Sequence, residues 1–373
     1  MVKGILKISQ ISKTYISKYL VIAFFLILLL SYSSITRTES YAVASRHHLA
    51  TDIGIKVLEE GGNAIDAAVA VAFALAVVNP SAGNLGGGGF MLIHLAEKKE
   101  TFSIDYRERA PMKSYEKMFQ DNDGKVIKDL SLNSILASGV PGTVSGMFYV
   151  SEKFGTIDIK SLIKPSINLA REGFALSDFQ AKNLNKFKQK FSKNKEAKKI
   201  FTRPEGFSKG DILVQENLGK TLKRISQNGK EDFYSGETAK RISNFFEENG
   251  GLLSLEDLNQ YRLRILDPVC GTYRHYKVCS MAPPSSGGIA LIQMLNILEN
   301  IDLGKLDHNS EEYLKILISA MDYAYKDRAE YLGDPDFYEV PQDLLTSKEY
   351  AKNIYQLIQE KKVPSKINVN IAE

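Results

Sequence analysis

Residues 59–91 read EEGGNAIDAAVAVAFALAVVNPSAGNLGGGGFM, the most constrained stretch of the 373-residue chain. Gly61-Gly62-Asn63 is a turn signal, because glycine takes positive φ without a steric cost. Asp66 can cap or start a helix. Every residue from 67 to 78 is Ala, Val, Leu or Phe, so this helix has no polar face and is expected to be buried all round. Asn79-Pro80 ends it, since proline cannot continue a helix and biases its predecessor out of the α region. Four glycines, Gly86 to Gly89, then enter an apolar strand beginning Phe90-Met91-Leu92-Ile93. A phosphate cradle needs a Lys and Ser/Thr at set positions, or a G-x-G-x-x-G entering a helix. These glycines enter a strand, which favours close approach of two backbones instead.

Hydrophobic content of 44% and charged content of 25% describe a globular chain rather than a disordered one. The 48 basic residues nearly balance the 44 acidic ones, so charge gives no argument for nucleic acid as a partner. Lys3, Lys7, Lys13 and Lys18 precede the apolar run LVIAFFLILLL at 20–30. Eleven residues is short against the about 20 that a spanning helix needs and fits the apolar region of a signal peptide. Residues 1–44 are therefore expected to be a signal peptide, or alternatively an anchor held in the membrane by residues 20–30. The protein is expected to be exported, to the periplasm or outside the cell.

Residues 44–60 read as an amphipathic helix with Leu49, Ile53, Val57 and Leu58 on one face. His47 and His48 are adjacent, so they do not face one metal site, and surface or capping roles are expected. Residues 90–95 and 101–106 form a hairpin across the turn 97–100. At its end lies Asp105-Tyr106-Arg107-Glu108. A guanidinium binds a carboxylate through two parallel hydrogen bonds, so Arg107 is a candidate ligand-binding residue. The residues alone favour a structural ion pair with Asp105 or Glu108 over that role. Helices are expected near 144–148, at 165–173 with Pro165 in the first turn, at 217–229, at 237–248 and from 289 to 299. Residues 319–336 read as a further helix followed by turns at Gly333 and Pro335. The Lys-rich stretch at 179–200 reads as a solvated face. Ser254 with Asp257 three residues on is a capping-box pattern. Residues 268–281 alternate like two strands. A loop centred on Arg274-His275 sets Cys270 opposite Cys279, within reach of a disulfide, with two reduced thiols the open alternative. Ser285 and Ser286 lack a nucleophile elbow and suit N-cap and close-packing roles.

GGNAIDAAVAVAFALAVVNP and AGNLGGGGFMLI closely resemble the N-terminal part of the γ-glutamyltransferases (glutathione hydrolases), members of the N-terminal-nucleophile hydrolases. The segments DYRE at 105–108, SGVPGT at 138–143, PPSSGG at 283–288 and AYKDRAEYLGDPD at 324–336 continue the resemblance. It implies an α+β fold, an αββα sandwich with a mostly helical lobe that is incomplete without a C-terminal small subunit. It implies that residues 45–373 are the large-subunit region. The activity implied is cleavage of the γ-glutamyl amide of glutathione and transfer of the γ-glutamyl group to water, amino acids or peptides. The agent in the family is a Thr freed by self-cleavage of the precursor, whose own α-amine is the base. Arg107 is then expected to hold the α-carboxylate of the γ-glutamyl group. No catalytic residue, metal or cofactor is expected within residues 1–373. The family's T-T-H processing motif is not found before Glu373, so the nucleophile is expected beyond it and the chain alone is expected to be inactive. Expected partners are glutathione and other γ-glutamyl compounds, an amino-acid or dipeptide acceptor, and the small subunit of the same precursor. Two other classes stay open: a related acylase that cleaves glutaryl-type amides, and a non-catalytic exported protein that binds γ-glutamyl compounds.

Overall fold

The computed structural model describes residues 41–360, nearly all within a unit that begins at Val43. The leader and its apolar run at 20–30 lie outside the described residues, as does the tail from 361. Helix α1 (His48–Glu59) starts where His47 acts as N-cap, its Nδ1 accepting the Leu49 N–H at 3.3 Å. Ala50, Gly54 and Val57 are its buried residues. The expected face packs on the core, with Leu49, Ile53 and Leu58 half-buried beside Val57, and it is widened by Gly54, which sits where a Cβ would lie 2.7 Å from the Val71 side chain.

That contact docks α1 on helix α2 (Ala64–Val78). No residue from 65 to 80 is exposed, as expected for a helix without a polar face. Its cap is Asn63 rather than Asp66. The Asn63 side chain accepts from the N–H of Ile65 and Asp66, and the Asp66 carboxylate accepts the Asn63 N–H at 2.9 Å. The same buried carboxylate accepts the Thr156 hydroxyl at 2.7 Å and the N–H groups of Thr156 and Ile157 at 3.0 and 3.2 Å. At the other end, side-chain amides of Gln215 and Gln180 donate to the carbonyls of Val77 and Val78, both at 2.7 Å. Carbonyls left over at a helix end are satisfied in this way.

Strand β1 (Phe90–Leu95) pairs antiparallel with β2 (Glu100–Asp105). Helix α3 (Thr143–Phe154) follows. Helix α4 (Ile159–Glu172) begins well before Pro165, which lies inside it. Asp158 caps this helix, and Leu162, Ile163, Ser166 and Ala170 bury its inner face, so the single hydrogen bond lost at proline is tolerated. The Lys-rich stretch forms three short helices, Asp178–Lys186, Lys188–Phe191 and Lys195–Phe201. Helix α5 (Glu216–Asn228) stops at Gly229, whose φ of +76° suits glycine. The capping box at Ser254 and Asp257 is formed.

Strand β3 (Arg264–Leu266) pairs with β2, placing Arg264 opposite Asp105. The sheet order is β1-β2-β3, so β1 and β3 are its edges among the described residues. Ile93 and Ile104 carry this sheet onto the core shared with α2, α3 and α4. Strands β4 (Val269–Tyr273) and β5 (Tyr276–Ser280) form the expected hairpin, with Cys270 opposite Cys279 and their sulfurs bonded at 2.12 Å. Helices α6 (Gly287–Leu298), α7 (Glu311–Tyr331) and α8 (Lys348–Gln359) pack through Ile297, Leu298, Ala320, Tyr323, Ala351 and Ile354. Helix α7 starts earlier than the sequence suggests, where Ser310 accepts the Tyr313 N–H at 3.3 Å. The whole is α+β.

Candidate functional site

Three glycine-bearing segments meet at the end of β2. The carbonyl of Gly87 accepts the N–H groups of Gly142 and Thr143 at 2.8 and 3.0 Å. Gly89 and Tyr106 exchange backbone hydrogen bonds at 3.0 and 3.3 Å. A Cβ on Gly88 would lie 2.5 Å from the Tyr106 carbonyl oxygen, and one on Gly142 would lie 2.0 Å from the Tyr261 hydroxyl. The glycine run is therefore a close backbone contact and not an anion cradle. Tyr106 and Tyr261 lock the contact. Burial pushes the Tyr106 hydroxyl up to about 12, and it donates to the Phe90 carbonyl at 3.3 Å. Burial, aided by the Asp105 charge, likewise raises Tyr261, which donates to the Arg107 carbonyl at 3.0 Å.

This packing presents Arg107. Asp105, only 4% exposed, accepts the Arg107 N–H at 3.0 Å through Oδ1 and the Arg264 Nε–H at 3.2 Å through Oδ2. Arg264 reaches on to Asp336 at 2.8 Å through Nη1. Neither ion pair open from the sequence is formed: among the described residues the Arg107 side chain pairs with no carboxylate. Its guanidinium carbon lies 5.8 Å from the centre of the Phe90 ring.

Arg107 opens onto a cleft of about 660 Å³. Gly88, Gly89, Phe90 and Glu108 line it from the β1 and β2 segments, and Pro284, Ser285 and Ser286 from the start of α6. Arg328, Ala329, Leu332 and Gly333 line it from the end of α7. Such a volume suits a small organic ligand. Ser286 occupies the N-cap position of α6 without capping through its side chain. Its Oγ accepts the Arg328 Nε–H at 2.9 Å instead. An arginine takes no proton, so this serine has no base beside it. Ser285 Oγ accepts the Gly287 N–H at 3.3 Å, and a Cβ on Gly288 would meet the Met281 carbonyl oxygen at 2.0 Å. Capping and close packing thus fall to Ser285 and Gly288. His47 and His48 stack 4.6 Å apart at the start of α1 and do not line the cleft. Among the described residues no three His, Cys, Asp or Glu side chains are grouped to hold a metal.

Sequence reasoning did not assign Arg328. It stood within the quoted AYKDRAEYLGDPD segment, but an arginine in the last turn of a helix is an ordinary complement to the helix dipole. Only the fold brings it to the cleft that Arg107 lines.

The family model described as Gamma-glutamyltranspeptidase matches residues 50–372. The glutathione hydrolase proenzyme of Escherichia coli (strain K12) is 48% identical over 320 residues, 85% of this chain and 55% of that protein. The glutathione hydrolase proenzyme of Pseudomonas sp. (strain A14) is 45% identical over 87% of this chain and 56% of its own length. The crystal structure of Helicobacter pylori gamma-glutamyltranspeptidase superposes with a TM-score of 0.84 at 46% identity, covering 90% of this chain and 95% of that one. The chain spans about half the length of the curated relatives it matches. With its glycine contact, its Asp105–Arg107 end and its two-arginine cleft, the chain belongs to the γ-glutamyltranspeptidase family.

Proposed function

We propose that the chain supplies the large-subunit part of a glutathione hydrolase, residues 45–373, and that its cleft binds the γ-glutamyl group. One observation carries the reading. The Arg107 guanidinium stands unpaired in the cleft while the carboxylate beside it, Asp105, is committed to the Arg107 backbone and to Arg264. A guanidinium held this way is set to receive a carboxylate from a ligand. The Thr nucleophile belongs to a small subunit of the same precursor, whose strands extend the sheet at the free edges of β1 or β3. With it, the γ-glutamyl amide of glutathione is cleaved through a Thr acyl-enzyme, and the acyl group passes to water, an amino acid or a dipeptide. Residues 1–44 serve export as a signal peptide. Among the described residues no helix is long and apolar enough to cross a membrane. The Asp105-Tyr106-Arg107-Glu108 context favours γ-glutamyl over glutaryl substrates by its resemblance alone, because a glutaryl group carries the same terminal carboxylate and lacks only the α-amine.

The test is Arg107→Gln in the protein assembled with its small subunit, read by release of nitroaniline from a γ-glutamyl anilide. Loss of a charge-assisted pair predicts a fall in kcat/KM of about a hundredfold. Wild-type kinetics in this variant overturn the assignment.

A further inference from the structure

The cleft holds a second guanidinium that the α-carboxylate of a γ-glutamyl group does not use. Arg328 sits in the last turn of α7. Its Nε–H is spent on Ser286 Oγ at 2.9 Å, and its guanidinium carbon lies 5.8 Å from the centre of the Tyr325 ring. Among the described residues it forms no ion pair, and its two terminal amino groups have no partner. The preceding residue fixes its direction. Asp327 is buried and accepts from the Gln293 side-chain amide and from the Tyr350 hydroxyl, the latter at 2.9 Å. That anchor points one side of the turn into the helical core and leaves Arg328 on the cleft side. A guanidinium steered through Nε still presents two parallel N–H donors at its far end, the fork that matches a carboxylate.

We infer that Arg328 recognises the C-terminal carboxylate of the peptide attached to the γ-glutamyl carbonyl, making it a specificity-determining residue. This rests on the function proposed above and deepens it. A glutathione-type donor carries two carboxylates, one on the γ-glutamyl residue and one at the opposite end. The cleft offers two guanidiniums, each held through a contact that leaves its terminal amino groups free, within a volume of about 660 Å³. One arginine alone leaves the second carboxylate without a partner.

The experiment measures hydrolysis, with no acceptor added, of glutathione, of its C-terminal carboxamide and of a γ-glutamyl anilide. It uses wild type and Arg328→Gln, each assembled with the small subunit. In wild type the acid is expected to have a KM about tenfold below that of the amide, the value of one partly exposed charged contact. In Arg328→Gln that ratio falls to about one. The ratio is internal to each preparation, so partial misfolding of the variant does not mimic the result. If wild type shows no preference for the acid, or if the variant keeps the wild-type ratio, the inference is overturned while turnover of the anilide leaves the proposed function standing. If wild type turns over none of the three compounds, the proposed function falls and this inference with it.

Discussion

Asp105→Asn removes the charge behind Arg107 at nearly constant side-chain size. Asn keeps one oxygen where Asp offers two, so either the Arg107 N–H at 3.0 Å or the Arg264 Nε–H at 3.2 Å now faces an amide NH₂. Breaking a fully buried ion pair costs about 3–5 kcal/mol. The Asp105 side chain is 4% exposed but that of Arg264 is 22%, so solvent screens part of the loss. An estimate of about 2–3 kcal/mol follows from that partial exposure. Asp336→Asn is the control. It cuts the same Arg264 network at a carboxylate that is 53% exposed, where a pair is worth about 0.2–1 kcal/mol. Urea denaturation should therefore separate the two variants by more than 1 kcal/mol. In the assembled protein Asp105→Asn should also raise KM for a γ-glutamyl anilide about tenfold, because Arg107 loses the bond that fixes its backbone. Equal destabilisation by the two variants refutes the burial argument. A clear loss of stability with KM unchanged shows that Asp105 does not position Arg107.

The glycine run makes a graded prediction. Gly88→Ala drives a Cβ to within 2.5–2.8 Å of the backbone of Tyr106, Arg107 and Glu108, whereas Gly86→Ala meets nothing within 4 Å. Calorimetry should show a loss of about 3 kcal/mol or more for the first and less than about 0.5 kcal/mol for the second, and similar losses would refute the contact. Asp327 predicts a pH dependence. Burial raises its carboxyl pKa, with the bonds from Gln293 and Tyr350 offsetting only part, so the folded chain holds this proton more tightly than the unfolded one. Its contribution is complete below the unfolded value, about 4, and is lost as pH rises through the folded value. The stability of wild type minus that of Asp327→Asn should fall as pH rises above about 4, the unfolded value, and a difference that stays flat or rises contradicts the assignment.

What the sequence disclosed was set by neighbours along the chain. The all-apolar run at 67–78, the Asn79-Pro80 stop, the Ser254 cap and the Cys270–Cys279 register depend on residues within one turn or one hairpin, and each was legible. Asp66 was read as a helix start because its main partners, Thr156 and Ile157, lie far along the chain. Pro165 was read as a first-turn residue because the burial that carries α4 through it comes from other helices. Arg107 stood out through its motif, yet its freedom from Asp105 could not be seen until Arg264 arrived opposite on β3. For Arg328 no local signal separates a cleft residue from a helix-dipole partner.

The motifs that looked separate in the sequence are one mechanical unit. Gly87 holds the turn before α3, Gly88 lies against the backbone of Tyr106–Glu108, and Tyr261 reaches from the far side to the Arg107 carbonyl. Asp105 then passes the constraint to Arg264, and Arg264 to Asp336, three residues beyond the Gly333 that lines the α7 side of the cleft. Arg107 is thereby tied to the segment that follows α7 through backbone contacts and a chain of charges. Two like charges facing one cleft repel, and Glu108 is the carboxylate that lines the cleft with them. On the inference drawn above, a ligand with two carboxylates supplies the compensating charge.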